Sequence, residues 1–82
     1  MNAPLLPPAV GLTLDARQLP APEPLVQTLE ALDALPSGQS LRLLIGREPH
    51  PLYQSLRASG HAWKTELQDD FSFEILIWHS QR

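Results

Sequence analysis

The 82-residue chain contains no cysteine. This absence excludes disulfide bonds, thiolate zinc sites and every reaction that starts with a thiol nucleophile. Basic residues are also few, because six lysines and arginines stand against nine aspartates and glutamates, for a formal net charge of −3. Proteins that bind nucleic acid carry a basic patch that neutralises phosphates, so we expect no nucleic-acid partner.

Long apolar runs are missing as well. A helix that crosses a bilayer needs about 20 mostly apolar residues, and prolines interrupt the amino-terminal stretch MNAPLLPPAVG, which also has no basic start. We therefore expect no signal peptide, no membrane partner and a cytoplasmic location. The length allows one domain, which we place at residues 11–82 after a tail at residues 1–10.

The spacing of apolar residues predicts the element order βαβαββ. Strands are expected near residues 12–15, 40–46, 61–67 and 71–79, and helices from Pro22 to about residue 35 and from Pro49 to Gly60. A left-handed glycine at position 60 would end the second helix. The first helix is predicted to bury a stripe at three- to four-residue spacing, which comprises Leu25, Val26, Leu29, Leu32 and Leu35.

The same pattern predicts the sheet. A strand–helix–strand unit forms a right-handed crossover between parallel strands, so the first two strands should pair in parallel. The last strand is apolar on both faces and belongs in the middle, whereas Lys64 and Glu66 suit an edge strand. We predict a two-layer α+β sandwich with a mixed sheet of order 1-2-4-3 and both helices on one face.

The segment LDARQLPAPEP, at residues 14–24, resembles the signature of the TusA-like, or SirA-like, sulfur-carrier family. That signature has the form Leu-Asp-x-x-Gly-Leu-x-Cys-Pro-x-Pro. The matching residues are Leu14, Asp15, Leu19, Pro22 and Pro24. The resemblance extends over roughly residues 12–79 and implies the same βαβαββ sandwich.

Two positions depart from that signature. Ala21 stands at the cysteine position and Gln18 at the glycine position. In the family, the cysteine at the helix start carries sulfur as a persulfide, because a thiol there has a lowered pKa. Ala21 excludes that chemistry. With REPHPL at residues 47–52 as a second motif, the chain resembles a cysteine-less branch of the family, for which the resemblance implies no activity.

A small-anion site is one prediction for the carboxyl edge of the sheet. Both helices should begin there, and helix amino termini attract anions. The residues that we predict to form it are Arg17, Ala21, Glu23, Arg47 and His50. The alternative is local: Arg17 pairs with Asp15 or Glu23, Arg47 pairs with Glu48, and His50 only caps its helix.

The open sheet face is a second candidate surface. Strand alternation places Leu44, Leu76 and Trp78 there, where they would form an apolar patch that binds a protein partner. Alternatively, the amino-terminal segment folds back and covers this patch with Leu5, Leu6 and Val10.

The histidines and serines form no recognisable catalytic or metal-binding motif. His61 and His79 should lie near one end of the sheet, but a metal centre would need a third ligand, so we predict no metal and no cofactor. The serines lie in no nucleophile-elbow context, and we predict no catalytic residue.

The favoured function is therefore a non-enzymatic binding or adaptor module with a protein partner, on a scaffold like that of a sulfur carrier. The alternative is a small-anion binder or accessory enzyme that acts through Arg17, Arg47 and His50.

Overall fold

A computed structural model describes residues 7–79. Its six elements follow the predicted order: β1 (Val10–Asp15), α1 (Glu23–Ala34), β2 (Ser40–Ile45), α2 (His50–Ala58), β3 (His61–Leu67) and β4 (Phe73–His79). Within the described residues, neither helix has the length and apolar character to cross a membrane.

The sheet has the predicted order, β1-β2-β4-β3. β1 pairs with β2 in parallel, and β4 runs antiparallel to both β2 and β3. The inward faces of the two central strands are buried together with side chains of both helices, so both helices cover one face of the sheet. This core comprises Leu32, Leu41, Leu43, Ile45, Leu52, Leu56, Ile75 and Ile77. The predicted two-layer sandwich is confirmed.

The buried face of α1 differs from the predicted stripe. Val26 is 42% exposed, whereas Thr28 is fully buried. A helix turns about 100° per residue, so the face that contains Leu25, Leu29 and Leu32 also contains position 28 rather than 26. The prediction for Val26 was wrong because apolar character was weighted above angular position.

The amino-terminal boundary also differs from the prediction. Val10 already belongs to β1, whereas the predicted tail includes residue 10; the division into a tail and a domain stays a prediction. The Ser40 hydroxyl donates to the carbonyl of Pro8 at 2.9 Å, and the Ser40 amide donates to the carbonyl of Ala9 at 2.9 Å. Of the three residues predicted to cover the apolar patch, Val10 is 48% exposed, and Leu5 and Leu6 lie outside the described residues.

Gly60 follows α2 with a φ of 77°, the left-handed conformation predicted from its position. The chain reverses direction at Gly60 and continues as β3, the edge strand beside β4. Because β3 and β2 run in the same direction, the carboxyl ends of β1, β2 and β3 lie at one edge of the sheet. The candidate binding residues at the helix starts lie at this edge.

Candidate functional site

The loops that follow β1 and β2 lie side by side at the carboxyl edge of the sheet. The Ala16 amide donates to the carbonyl of Leu44 at 2.7 Å, and the carbonyl oxygen of Arg17 lies 3.9 Å from where a side chain on Gly46 would begin. The hairpin between β3 and β4 reaches the same edge, because Phe73 pairs with Ile45. Three separate loops therefore surround one end of the sheet.

Arg17 is held by carboxylates at this edge. Its Nε and Nη2 donate to the two carboxylate oxygens of Asp15 at 2.9 and 2.7 Å, and its Nη1 lies 3.7 Å from Asp70. These hydrogen bonds lower the pKa of Asp15 to about 2. The geometry matches the local pairing of Arg17 with Asp15, and it directs the guanidinium toward the β3–β4 hairpin.

Few backbone amides are available at the start of α1. Pro22 and Pro24 have no N–H group, and the Glu23 amide donates to the carbonyl of Pro20 at 2.9 Å. The Glu23 carboxylate accepts a hydrogen bond from Gln27 and adds negative charge there. Although Ala21 is exposed, the first helical turn provides little of the donor array that an anion needs.

At the start of α2, backbone amides are likewise already used in hydrogen bonds. The His50 amide donates to Glu48 at 3.1 Å, and the amides of Leu52 and Tyr53 both donate to the carbonyl of Pro49. The His50 imidazole lies 3.8 Å from the Glu48 carboxylate and edge-on to the Tyr53 ring. His50 does not cap the helix through its side chain among the described residues.

Arg47 is exposed in the loop that leads to α2. The topology brings both helix starts to one edge, as predicted, while the Arg17 guanidinium is engaged by Asp15 and Asp70. The anion site formed by these groups stays a prediction.

A shallow cleft of about 420 Å³ lies at this end of the open sheet face. It is lined by Arg17, Arg42, Leu44, Gln68, Asp69, Asp70 and Ser72. Arg42 donates to the Glu74 carboxylate at 2.5 Å, so both arginines of the cleft have carboxylate partners. The mixed charge favours a polar contact surface over a site selective for anions.

A turn with several internal hydrogen bonds joins β3 to β4 beside the cleft, and we call residues 67–72 the hairpin tip. The Asp70 carboxylate accepts hydrogen bonds from the amide and the hydroxyl of Ser72 at 3.0 and 2.6 Å, which lower the pKa of Asp70. The Gln68 amide donates to Ser72, and the Phe71 amide donates to Gln68. These bonds hold Phe71 at a φ of 68°.

The hairpin tip displays two large apolar side chains. Phe71 is 78% exposed and Leu67 is 59% exposed. Sequence reasoning missed both, because it treated residues 68–70 as a connection and assigned Phe71 to a strand. The signal was the Asp-Asp-Phe-Ser order, since aspartate two residues before serine is typical of a side-chain-stabilised turn.

The predicted apolar patch differs in exposure from the expectation. Leu44 and Leu76 are half-buried, and Trp78 is only 8% exposed. Trp78 is therefore buried, whereas the sequence predicted an exposed tryptophan on the open sheet face. The roles of Leu44, Leu76 and Trp78 in partner binding stay predictions, with Leu44 positioned in the cleft wall.

His61 and His79 lie at the opposite end of the sheet, as predicted. They occupy paired positions on β3 and β4, with ring centres 4.5 Å apart. No third histidine, aspartate or glutamate completes a metal-binding group with them in the part of the chain that the structure describes.

Comparison with known proteins agrees with the fold. A crystal structure of a SirA-like protein from Desulfitobacterium hafniense superposes with a TM-score of 0.76 over 87% of this chain and all of that chain, at 19% sequence identity. A family described as "Uncharacterized conserved protein (DUF2249)" matches residues 13–79. No curated protein matches the sequence.

Proposed function

The chain belongs to the DUF2249 family, and we propose that it is a non-enzymatic binding module that docks a protein partner through its hairpin tip. The scaffold has the fold of a SirA-like protein, and the chain has no cysteine. Ala21 stands where the sulfur-carrier signature has its reactive thiol. A scaffold without that thiol keeps its surfaces and loses its group-transfer chemistry.

The exposure of Phe71 is the observation that carries the proposal. An aromatic side chain that is 78% exposed forfeits the burial that stabilises most phenylalanines. Aromatic residues are enriched at the centres of protein interfaces, where they bind in pockets of the partner. The hydrogen bonds of Asp70 and Ser72 fix the turn in advance, which lowers the entropy lost on binding.

The charge around the hairpin tip indicates the kind of partner. Glu66 and Asp69 are exposed beside Leu67 and Phe71, and the whole chain carries a net charge of −3. Complementary charge steers association and disfavours partners of the same sign. The expected partner is a protein with an apolar pocket for Phe71 that is bordered by lysine or arginine side chains.

The cleft extends this docking surface. Asp69 and Asp70 of the hairpin tip line the cleft together with Leu44, one of the residues predicted to bind a partner. A protein segment that covers Phe71 would therefore also reach Leu44 and the two arginines of the cleft. Hydrogen-bonding groups around an apolar anchor are typical of non-obligate interfaces.

The alternative is a small-anion binder or accessory enzyme that uses Arg17, Arg47 and His50. The pairing of Arg17 with two carboxylates and the occupied amides of α2 do not favour it. An NMR titration with sulfate and phosphate tests it directly. Saturable amide shifts confined to Arg47, His50 and the start of α1 would support the anion binder instead of the docking module.

A matched pair of substitutions tests the docking proposal. Phe71→Asn removes the aromatic ring and keeps a residue that tolerates positive φ, whereas Val26→Asn removes an exposed apolar side chain from α1. The wild-type chain and both variants are immobilised, and captured proteins are quantified at low and high salt. We expect a partner that binds wild type and Val26→Asn equally, is lost with Phe71→Asn, and binds more weakly at high salt.

Retention of every captured protein by the Phe71→Asn variant would overturn the proposal. Circular dichroism and urea unfolding of the three proteins establish that the variants are folded. Binding that is insensitive to salt, but lost with Phe71→Asn, would contradict the basic partner and leave only an apolar contact.

A further inference from the structure

His61 and His79 lie directly opposite each other at the end of the sheet away from the hairpin tip. They are a register pair of the antiparallel strands β3 and β4, and their ring planes are tilted by 47°. Side chains at paired positions of neighbouring strands have their Cβ atoms about 4.5 to 5.5 Å apart. The two imidazoles are therefore held together by the backbone pairing, and they lie outside the proposed docking surface.

Ser59 determines which nitrogen of His61 carries the proton. The Ser59 hydroxyl has one hydrogen, and its oxygen lies 2.8 Å from the carbonyl oxygen of Ser55, which can only accept. The same hydroxyl lies 2.8 Å from Nδ1 of His61 and must accept there. Nδ1 of His61 is therefore protonated, and Nε2 carries the lone pair.

This lone pair has no partner. Nε2 of His61 is shielded from solvent and accepts no hydrogen bond among the described residues. A buried acceptor without a donor costs folding free energy. A histidine that ligates a metal almost always donates its other N–H to a neighbouring oxygen, and Ser59 provides that oxygen here.

His79 is exposed, so a metal ion from solvent reaches its imidazole first. Binding to Nε2 of His61, which is shielded from solvent, then requires neighbouring side chains to move aside.

The distance between the rings is compatible with one metal ion shared by both imidazoles. With nitrogen–metal bonds of about 2.0 Å, two imidazoles on one ion have ring centres about 4.5 Å apart at a right angle and about 5.2 Å apart at a tetrahedral angle. The observed separation is 4.5 Å. Right angles between neighbouring ligands are typical of Cu²⁺ and Ni²⁺, and of these two Cu²⁺ binds nitrogen ligands more tightly.

We propose that His61 and His79 form a two-histidine site for Cu²⁺, in which water occupies the other equatorial positions. Ser59 is a positioning residue that fixes the His61 tautomer. No third protein ligand lies within the described part of the chain, so the site binds its ion reversibly and leaves coordination positions open.

Titration of the full chain with Cu²⁺ tests the site. Trp63 and Trp78 are two residues and one residue from the ligands, so bound Cu²⁺ should quench their fluorescence in a saturable way. We expect His61→Gln and His79→Gln each to weaken binding at least tenfold, and Ser59→Ala to weaken it by roughly tenfold through loss of the tautomer lock. His50→Gln is the matched control and should bind like wild type.

Equal Cu²⁺ affinity in wild type and the two ligand variants would overturn the site. A loss of affinity in His50→Gln as large as in the ligand variants would do the same. NMR of the wild-type chain gives a result that does not depend on variants. Paramagnetic broadening centred on residues 59–63 and 77–79 supports the site, and broadening centred on His50 or on the amino terminus refutes it.

Discussion

The Tyr53 ring lies parallel to the Trp63 indole, with ring centres 5.0 Å apart and 7° between the planes. The stack joins α2 to the edge strand β3. The Tyr53 hydroxyl donates to the Glu48 carboxylate at 3.1 Å and accepts from the Thr65 hydroxyl at 2.6 Å. Burial raises the pKa of the Tyr53 phenol, so it stays protonated and able to donate.

Tyr53→Phe should retain the stack and lose both hydrogen bonds. We expect the free energy of unfolding to fall by about 1–2 kcal/mol, because the substitution leaves Thr65 without its partner. Tyr53→Leu should cost more, since it also removes the contact with Trp63. Urea unfolding of the three proteins measures both effects. Equal stability of Tyr53→Phe and wild type would show that water replaces these hydrogen bonds.

Thr28→Val should stabilise the chain. Thr28 is fully buried in α1, and its hydroxyl has no hydrogen-bond partner among the described residues. Replacement of the hydroxyl with a methyl group removes this unsatisfied polar atom at nearly constant volume, with an expected gain of about 1 kcal/mol. Thr28→Ala is the control and should destabilise, because it leaves a cavity. Thermal unfolding distinguishes the two directions, and a lower Tm for Thr28→Val would contradict the unsatisfied hydroxyl.

Phe71→Gly should not destabilise the fold, although it removes a large apolar residue. Positive φ costs a residue with a side chain about 1–2 kcal/mol, and glycine avoids this cost while adding about 0.5–1 kcal/mol of unfolded-state entropy. Phe71→Val should destabilise, since β-branched side chains fit this conformation poorly. Urea midpoints rank the two variants, and the opposite ranking would refute the left-handed backbone at this position.

The pH dependence of stability should reflect His61. Its folded-state pKa lies below the unfolded value of 6.5, so the unfolded chain binds a proton more readily. The contribution of neutral His61 to the free energy of unfolding is fully present above pH 6.5. It is lost as the pH falls through the folded-state pKa of His61. His61→Gln should flatten the stability profile between pH 7.5 and pH 5, measured by urea unfolding. An unchanged slope in the variant would show that other groups titrate in this window.

The fold was predictable because its main determinants are periodic. The last strand is apolar on both faces and required a central position, whereas the charged third strand required an edge. Together these two requirements left little choice of sheet order. The error at Val26 and Thr28 arose where composition and helical angle disagreed. Angular position decided the outcome, since a threonine methyl packs in a core nearly as well as that of valine.

The functional surfaces were less predictable because they depend on side chains from distant loops. The pairing of Arg17 with Asp15 involves residues two apart and was foreseen as one alternative. The contact of Arg17 with Asp70 depends on how three loops meet, and no local pattern encodes it. The left-handed conformation of Phe71 is likewise set by hydrogen bonds around it rather than by its own preference.

The antiparallel course of β4 places its last residue, His79, at the edge of the sheet where Val10 begins β1. These two residues are separated by about two strand spacings, or roughly 10 Å, while the hairpin tip lies about 20 Å away at the opposite edge. A tether attached beside Val10 or beside His79 would therefore present Phe71 outward. In a biosensor or a fusion, the orientation of the hairpin tip would be the same whichever of these two positions is anchored.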